Sequence, residues 1–122
     1  MSKPETIKID EVEYVRKDSI TKEATSLNGM KYCIVRTCSA GVFAGYVAKK
    51  EGMEVEMRKA RRLYSWAGAA TLSQLAMEGV KNPKECKFPQ EVETITLTQV
   101  IEIIPCTEIV KNSIAEVAVW KV

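Results

Sequence analysis

Residues 31–58 read KYCIVRTCSAGVFAGYVAKKEGMEVEMR. Lys31 to Thr37 alternates apolar and polar side chains well enough for a strand, Ser39-Ala40-Gly41 is a turn, and Val42 to Lys49 is the return strand. Lys50-Glu51-Gly52 is a second turn, and Met53 to Arg58 follows as a third strand. Three short strands joined by tight turns make an antiparallel meander, which sets the fold class. Gly41 and Gly45 bracket Val42-Phe43-Ala44; glycine there marks a bulge or a close approach by another chain or ligand, and a bulge is the simpler reading.

Downstream lies Ala60 to Gly79, ARRLYSWAGAATLSQLAMEG. If its first part continues the meander, Arg62, Tyr64 and Trp66 share one side and Arg61, Leu63 and Ser65 the other. A helix follows. Ser65 is one capping residue for it, and Thr71 with Gln74 forms a later capping-box pair. Leu72, Leu75 and Ala76 fall at helical spacing and face the core, and Gly79 suits the position just past the end. From Val80 to Glu91, Asn82-Pro83 and Pro89 impose an irregular loop. Val92 to Ile104 is the longest strand candidate, ended by Pro105; Thr107 caps a short helix over Glu108 to Ile114; Ala115 to Val122 alternates as a last strand.

Upstream, Asn28-Gly29 is a strong turn signal, and SITKEATS is loop or short helix. A strand is expected near Val12 to Lys17, and residues 1–6 are expected to be flexible. The expected architecture is a single α+β domain over residues 1–122, with an antiparallel, partly barrel-like sheet of five to seven strands. One main helix and one short C-terminal helix accompany it. So few helices leave apolar strand faces to cover, so self-association as a dimer or higher homo-oligomer is expected.

Composition narrows function. The chain has 122 residues, a net charge of +2 with both signs interspersed, and no histidine. The weak charge argues against a dedicated nucleic-acid binder. The missing histidine removes the commonest general base and metal ligand and excludes Ser-His-Asp and Cys-His catalysis. Cys33, Cys38, Cys86 and Cys106 lack zinc-ligand spacing and are expected to be reduced, so neither a metal nor a cofactor is expected. No apolar run is long enough to span a membrane and the first residues lack a signal-peptide core, which points to the cytoplasm.

The candidate site is the arginine-aromatic stretch. Arg61 and Arg62 supply forked donors for phosphate or carboxylate, Tyr64 and Trp66 offer faces for a base, and Ser65, Thr71 and Gln74 add polar contacts beside a helix start. The same residues also suit ordinary core and surface duty. Arg36, a cation within an apolar strand, is a secondary candidate that needs solvent, a carboxylate or a bound anion.

The segments RTCSAGVFAGYVAKKEG, ARRLYSWAGAATLSQLAMEGVKNP and TLTQVIEIIPCTE resemble a family of small bacteriophage and prophage proteins. The likeness runs from Lys31 to Lys111 and brings no catalytic residues with it. It implies a phage genome and a host bacterial cytoplasm. Small phage proteins often counter host defence. By analogy the expected function is a non-enzymatic sponge that traps an anionic nucleotide immune signal, a cyclic ADP-ribose isomer or a cyclic oligonucleotide. The alternatives are a structural or interaction protein that binds another protein, and, last, a hydrolase using Glu93 or Glu102.

Overall fold

The computed structural model describes residues 22–121. The strand expected at Val12 to Lys17 and the flexible residues 1–6 lie outside that range. Among the described residues the strands are β1 (Lys31–Thr37), β2 (Val42–Glu51), β3 (Glu54–Arg62), β4 (Val92–Leu97) and β5 (Val100–Pro105). Two helices, α1 (Leu72–Glu78) and α2 (Glu108–Ala115), and a 3-10 turn at Pro83–Glu85 complete the set. All strand pairs are antiparallel, in the order β4-β3-β2-β1-β5, so the fold is α+β with a five-stranded sheet that does not close.

One connection bends this sheet. The stretch expected as a single strand from Val92 to Ile104 is two strands on opposite edges, separated only by Thr98 and Gln99. Laid flat, five strands at about 4.8 Å spacing would put those edges roughly 19 Å apart. Three Cα–Cα steps from Leu97 to Val100 reach about 11 Å at most. The sheet therefore coils until the two ends meet. Val100 N donates to Met53 O (2.9 Å) and Cys38 N to Gln99 O (3.0 Å), pinning the corner from both sides.

Coiling creates two apolar layers. Cys33, Val35, Phe43, Val55, Met57, Ala60, Leu97 and Val100 cluster with strand residues alone, buried because the sheet wraps around them. The opposite face carries Tyr32, Ile34, Ala44, Tyr46 and Leu63, packed beneath Leu75 and Ala76 of α1 and Val110 and Ile114 of α2. The parity of β3 changes midway: Val55 and Met57 face the wrapped cluster, and so does Ala60. Lys59 is the extra residue, a bulge held at φ +50° where non-glycine residues rarely sit. The β2–β3 register shifts opposite it, at Gly45. A Cβ on Gly45 would lie 2.8 Å from Ala60 Cα. The bulge reading of Gly45 is thus correct, with the extra residue on the facing strand.

Local chemistry follows the sequence closely elsewhere. Asn28 and Gly29 both have positive φ (51° and 83°), as a two-residue hairpin turn between the bridged residues Leu27 and Met30 requires. Thr71, not Ser65, caps α1: its hydroxyl accepts from Gln74 N (3.1 Å) while Gln74 Oε1 accepts from Ala70 N (2.9 Å). Ser65 instead exchanges backbone hydrogen bonds with Lys87. Gly79 ends the helix at φ +81°. Thr107 caps α2 and also donates its hydroxyl to Met77 O (3.1 Å), joining the end of α1 to the start of α2. The strand expected over Ala115 to Val122 is absent among the described residues. α2 runs through Ala115, and the tail beyond it makes one parallel bridge, Val119 to Phe88.

Gly45→Ala is expected to lower stability by about 1–3 kcal/mol, since backbone rather than a side-chain tip must yield; urea denaturation would measure it. A second expectation concerns Glu108, whose Oε1 accepts from Thr25 N (2.7 Å) and Thr25 Oγ1 (3.0 Å). The backbone bond, then the hydroxyl bond, hold this carboxyl below its ordinary value. Its contribution is therefore complete above the unfolded carboxylate range and drains away as pH falls through the folded value. Urea midpoints measured through the acid range should fall less steeply for Glu108→Gln than for the native chain.

Candidate functional site

A concavity of about 460 Å³ opens between the helix-side face of the sheet and α2. Its wall includes Tyr32 from β1, Tyr46 from β2, Lys59 and Arg61 from β3, Glu91 from the loop before β4, and Lys111 from α2. Each arrives for a local reason. Tyr32 and Tyr46 are directly paired across the β1–β2 hairpin, their rings meeting edge to face at 5.2 Å. The bulge displaces Lys59 to the rim and restores Arg61 to the helix side. Lys111 follows the core residue Val110, and its Nζ stands 5.6 Å from the Tyr46 ring centre.

Arg61 is 7% exposed, and its guanidinium is held by main-chain oxygens. Nε donates to Pro89 O (3.0 Å), Nη1 to Ile114 O (2.8 Å), and Nη2 to Phe88 O (3.1 Å) and Val117 O (2.7 Å). The Phe88 ring lies 5.4 Å away. Among the described residues no carboxylate comes within ion-pairing distance of it. Burial lowers its pKa, offset in part by Tyr32 and Glu91. The charge is balanced by carbonyl dipoles, one of them from the last turn of α2, where a cation is favoured.

Tyr32 and Tyr46 pack their rings into the helix-side core. Each is 8% exposed, and neither phenol hydroxyl has a hydrogen-bond partner among the described residues. Burial raises the Tyr32 pKa further above the ordinary tyrosine range, so it stays a protonated donor. Three cations, set against Glu91 in the wall and Glu93 beside Lys59, surround two phenols without a hydrogen-bond partner among the described residues and make a place suited to an anion carrying a ring or an apolar part. Burial pushes the Cys33 thiol up to about 11 and the Cys106 thiol up to about 12, which disfavours their thiolates. Among the described residues no three His, Cys, Asp or Glu side chains converge as a metal site requires, and no helix is long and apolar enough to cross a membrane.

Of the residues expected to form a site, Arg61 alone lines this concavity. Arg62 is exposed on the other face of β3, its guanidinium 4.6 Å from the Phe43 ring centre. Tyr64 stands in solvent, stacked on Trp120. Trp66 is half-buried against the helix-side core, and Ser65, Thr71 and Gln74 are engaged as described above. Arg36 meets Glu102 across β1–β5 at 3.6 Å, so solvent and a carboxylate answer its charge. Glu93 pairs loosely with Lys59 (3.9 Å).

Four lining residues, Lys59, Lys111, Tyr32 and Tyr46, escaped the sequence reading. Counting outward from a turn over 38–40, with Thr37 facing Gly41, sets Tyr32 opposite Tyr46; that turn lies one residue earlier than Ser39 to Gly41. Lys59 carried a signal too, because the apolar alternation of Val55 and Met57 resumes at Ala60. Lys111 carried none.

Fold and site define a small α+β domain with an open, cation-rimmed, tyrosine-floored concavity. The chain belongs to the domain of unknown function family DUF6948, whose sequence profile matches residues 30–114. No curated protein and no solved structure matches it.

Arg61→Met removes the donors to four carbonyls at once and is expected to cost about 3 kcal/mol, with Arg61→Lys recovering little because a point ammonium cannot span them. Urea unfolding of both variants would measure this.

Proposed function

We propose that this protein is a binding protein that sequesters an anionic nucleotide in the concavity between the sheet and α2, without altering it chemically. The observation that carries this reading is the convergence of Lys59, Arg61 and Lys111 on two buried tyrosines whose hydroxyls have no partner among the described residues. Lys59 and Lys111, whose side chains are not locked by internal hydrogen bonds, meet phosphate; Tyr32 and Tyr46 donate to its oxygens or to a base edge; Arg61 fixes the wall and adds positive potential. In the phage setting that the sequence resemblance implies, the ligand is a host nucleotide immune signal, a cyclic ADP-ribose isomer or a cyclic oligonucleotide. The protein acts there in the host cytoplasm by lowering the free concentration of that signal.

Self-association belongs to the same proposal. β5 is an edge strand of sequence VIEIIP with Ile101 exposed and Ile103 half-buried; it has no interior lysine or proline, and its one irregularity against β1 is the extra residue Ile101. Antiparallel pairing of two β5 edges about a two-fold axis would cover it.

A melting-temperature screen against cyclic ADP-ribose isomers, cyclic dinucleotides and trinucleotides, and neutral nucleosides tests the binding claim. A ligand at about 100 times its Kd adds about 2.7 kcal/mol, roughly a 10 °C rise for a domain of this size. Lys111→Ala should shrink the rise and leave the ligand-free melting point nearly unchanged, and the ligand should be recovered intact after denaturation. A panel in which no anion shifts melting overturns the reading.

A further inference from the structure

We propose that the surface around Tyr64 and Trp120 is a stacking platform for single-stranded nucleic acid, distinct from the concavity. The two rings lie nearly parallel, 8° apart with centres 5.2 Å from each other, and remain 63% and 40% exposed. Neither contributes to either apolar cluster. The backbone at both rings is hydrogen-bonded to the segment 87–88. Ser65, beside Tyr64, donates to Lys87 O (3.2 Å) and accepts from Lys87 N (2.7 Å), and Trp120 N donates to Phe88 O (3.0 Å). The fold thus spends fixed backbone on presenting two large rings to water.

Cations flank this column. Lys87 Nζ is 5.6 Å from the Trp120 ring centre, and Lys84 and Glu116 both line a concavity of about 410 Å³ that includes that ring. Arg62 is exposed two residues before Tyr64. A parallel ring pair leaves a flat outer face on which a base extends the stack, while the neighbouring cations meet the phosphates. An acidic peptide would satisfy the cations and leave the ring face with nothing planar to meet. A duplex keeps its bases inside and cannot offer one. Sequence preference should be slight, because every base has such a face.

Fluorescence anisotropy of a labelled oligothymidylate, titrated with the full chain at low and at physiological salt, tests this. Saturable binding is expected, weaker for a duplex of the same length. Tyr64→Ala and Trp120→Ala should each weaken it roughly tenfold, and Tyr64→Phe should not. Lys87→Gln should flatten the log–log salt dependence by about 0.7. Lys111→Ala, which alters the concavity, should leave oligonucleotide affinity untouched, so this proposal and the preceding one stand or fall separately. Tyr64 is exposed, and its variants should melt with the native chain. Absence of binding at low salt, equal binding of the duplex, equal competition by thymidine monophosphate, or an unchanged affinity in Tyr64→Ala would each overturn it.

Discussion

Four main-chain oxygens converge on the guanidinium of Arg61, and the helix layer is fixed to the sheet through them. Phe88 and Pro89 belong to the irregular crossing before β4, Ile114 to the last turn of α2, and Val117 to the tail beyond it. These segments share no ladder of their own with β3 at this point. One planar, five-donor group reaches all of them because its donors fan out in a fixed plane. A carboxylate partner would neutralise the charge but leave those carbonyls without donors in a buried layer, a cost comparable to several lost hydrogen bonds. The carbonyls therefore serve as counter-charge and beneficiary together.

That arrangement depends on the bulge. Without Lys59 as an extra residue, strict alternation from Met57 would direct Arg58 and Ala60 to the helix side. It would turn Arg61 into the wrapped cluster with Val55 and Met57, where no carbonyls wait for it. The bulge corrects the parity at the cost of a left-handed residue, about 1 kcal/mol or more of local strain, and of a glycine opposite. The same displaced residue becomes the lysine at the concavity's rim. Strain, core and site thus meet in one backbone irregularity, as β-bulges beside functional sites commonly show.

How much of this was legible in the sequence follows from the same distinction. The meander, the Asn28-Gly29 turn, the Thr71 and Thr107 caps and the helix-ending Gly79 are set by interactions within a few residues, and each stands where the sequence puts it. The failures are non-local. The Thr98-Gln99 corner looks like strand because β-branched residues flank it. Only the pairing order across the sheet shows that the chain changes edges there. Arg61 and Arg62 are adjacent and chemically identical, yet one is buried against carbonyls and the other lies over Phe43 in solvent. Nothing local separates them, since the difference is which side of a bulged strand each occupies. Tyr64 keeps its ring outward as alternation suggests, but its stacking partner is Trp120, 56 residues further along the chain.

Satisfied hydrogen bonds do not extinguish the charge on Arg61. Its donors are consumed by carbonyl oxygens, but the full positive charge stays beneath the floor of the concavity, close to Tyr32 and Glu91. Screening by salt is weak for a buried charge, so its potential reaches into the opening with less attenuation than that of the two rim lysines. A guanidinium that cannot reorganise costs nothing to preorganise when an anion arrives, which is how fixed charges and dipoles favour binding without themselves touching the ligand. Lys59 and Lys111 differ from it: Lys59 is exposed and loosely paired with Glu93, and Lys111 is half-buried beside the Tyr46 ring. The arginine that most resembled a ligand contact in the sequence is thus tied to carbonyl oxygens, while Lys59, Lys111, Tyr32 and Tyr46 line the concavity beside it.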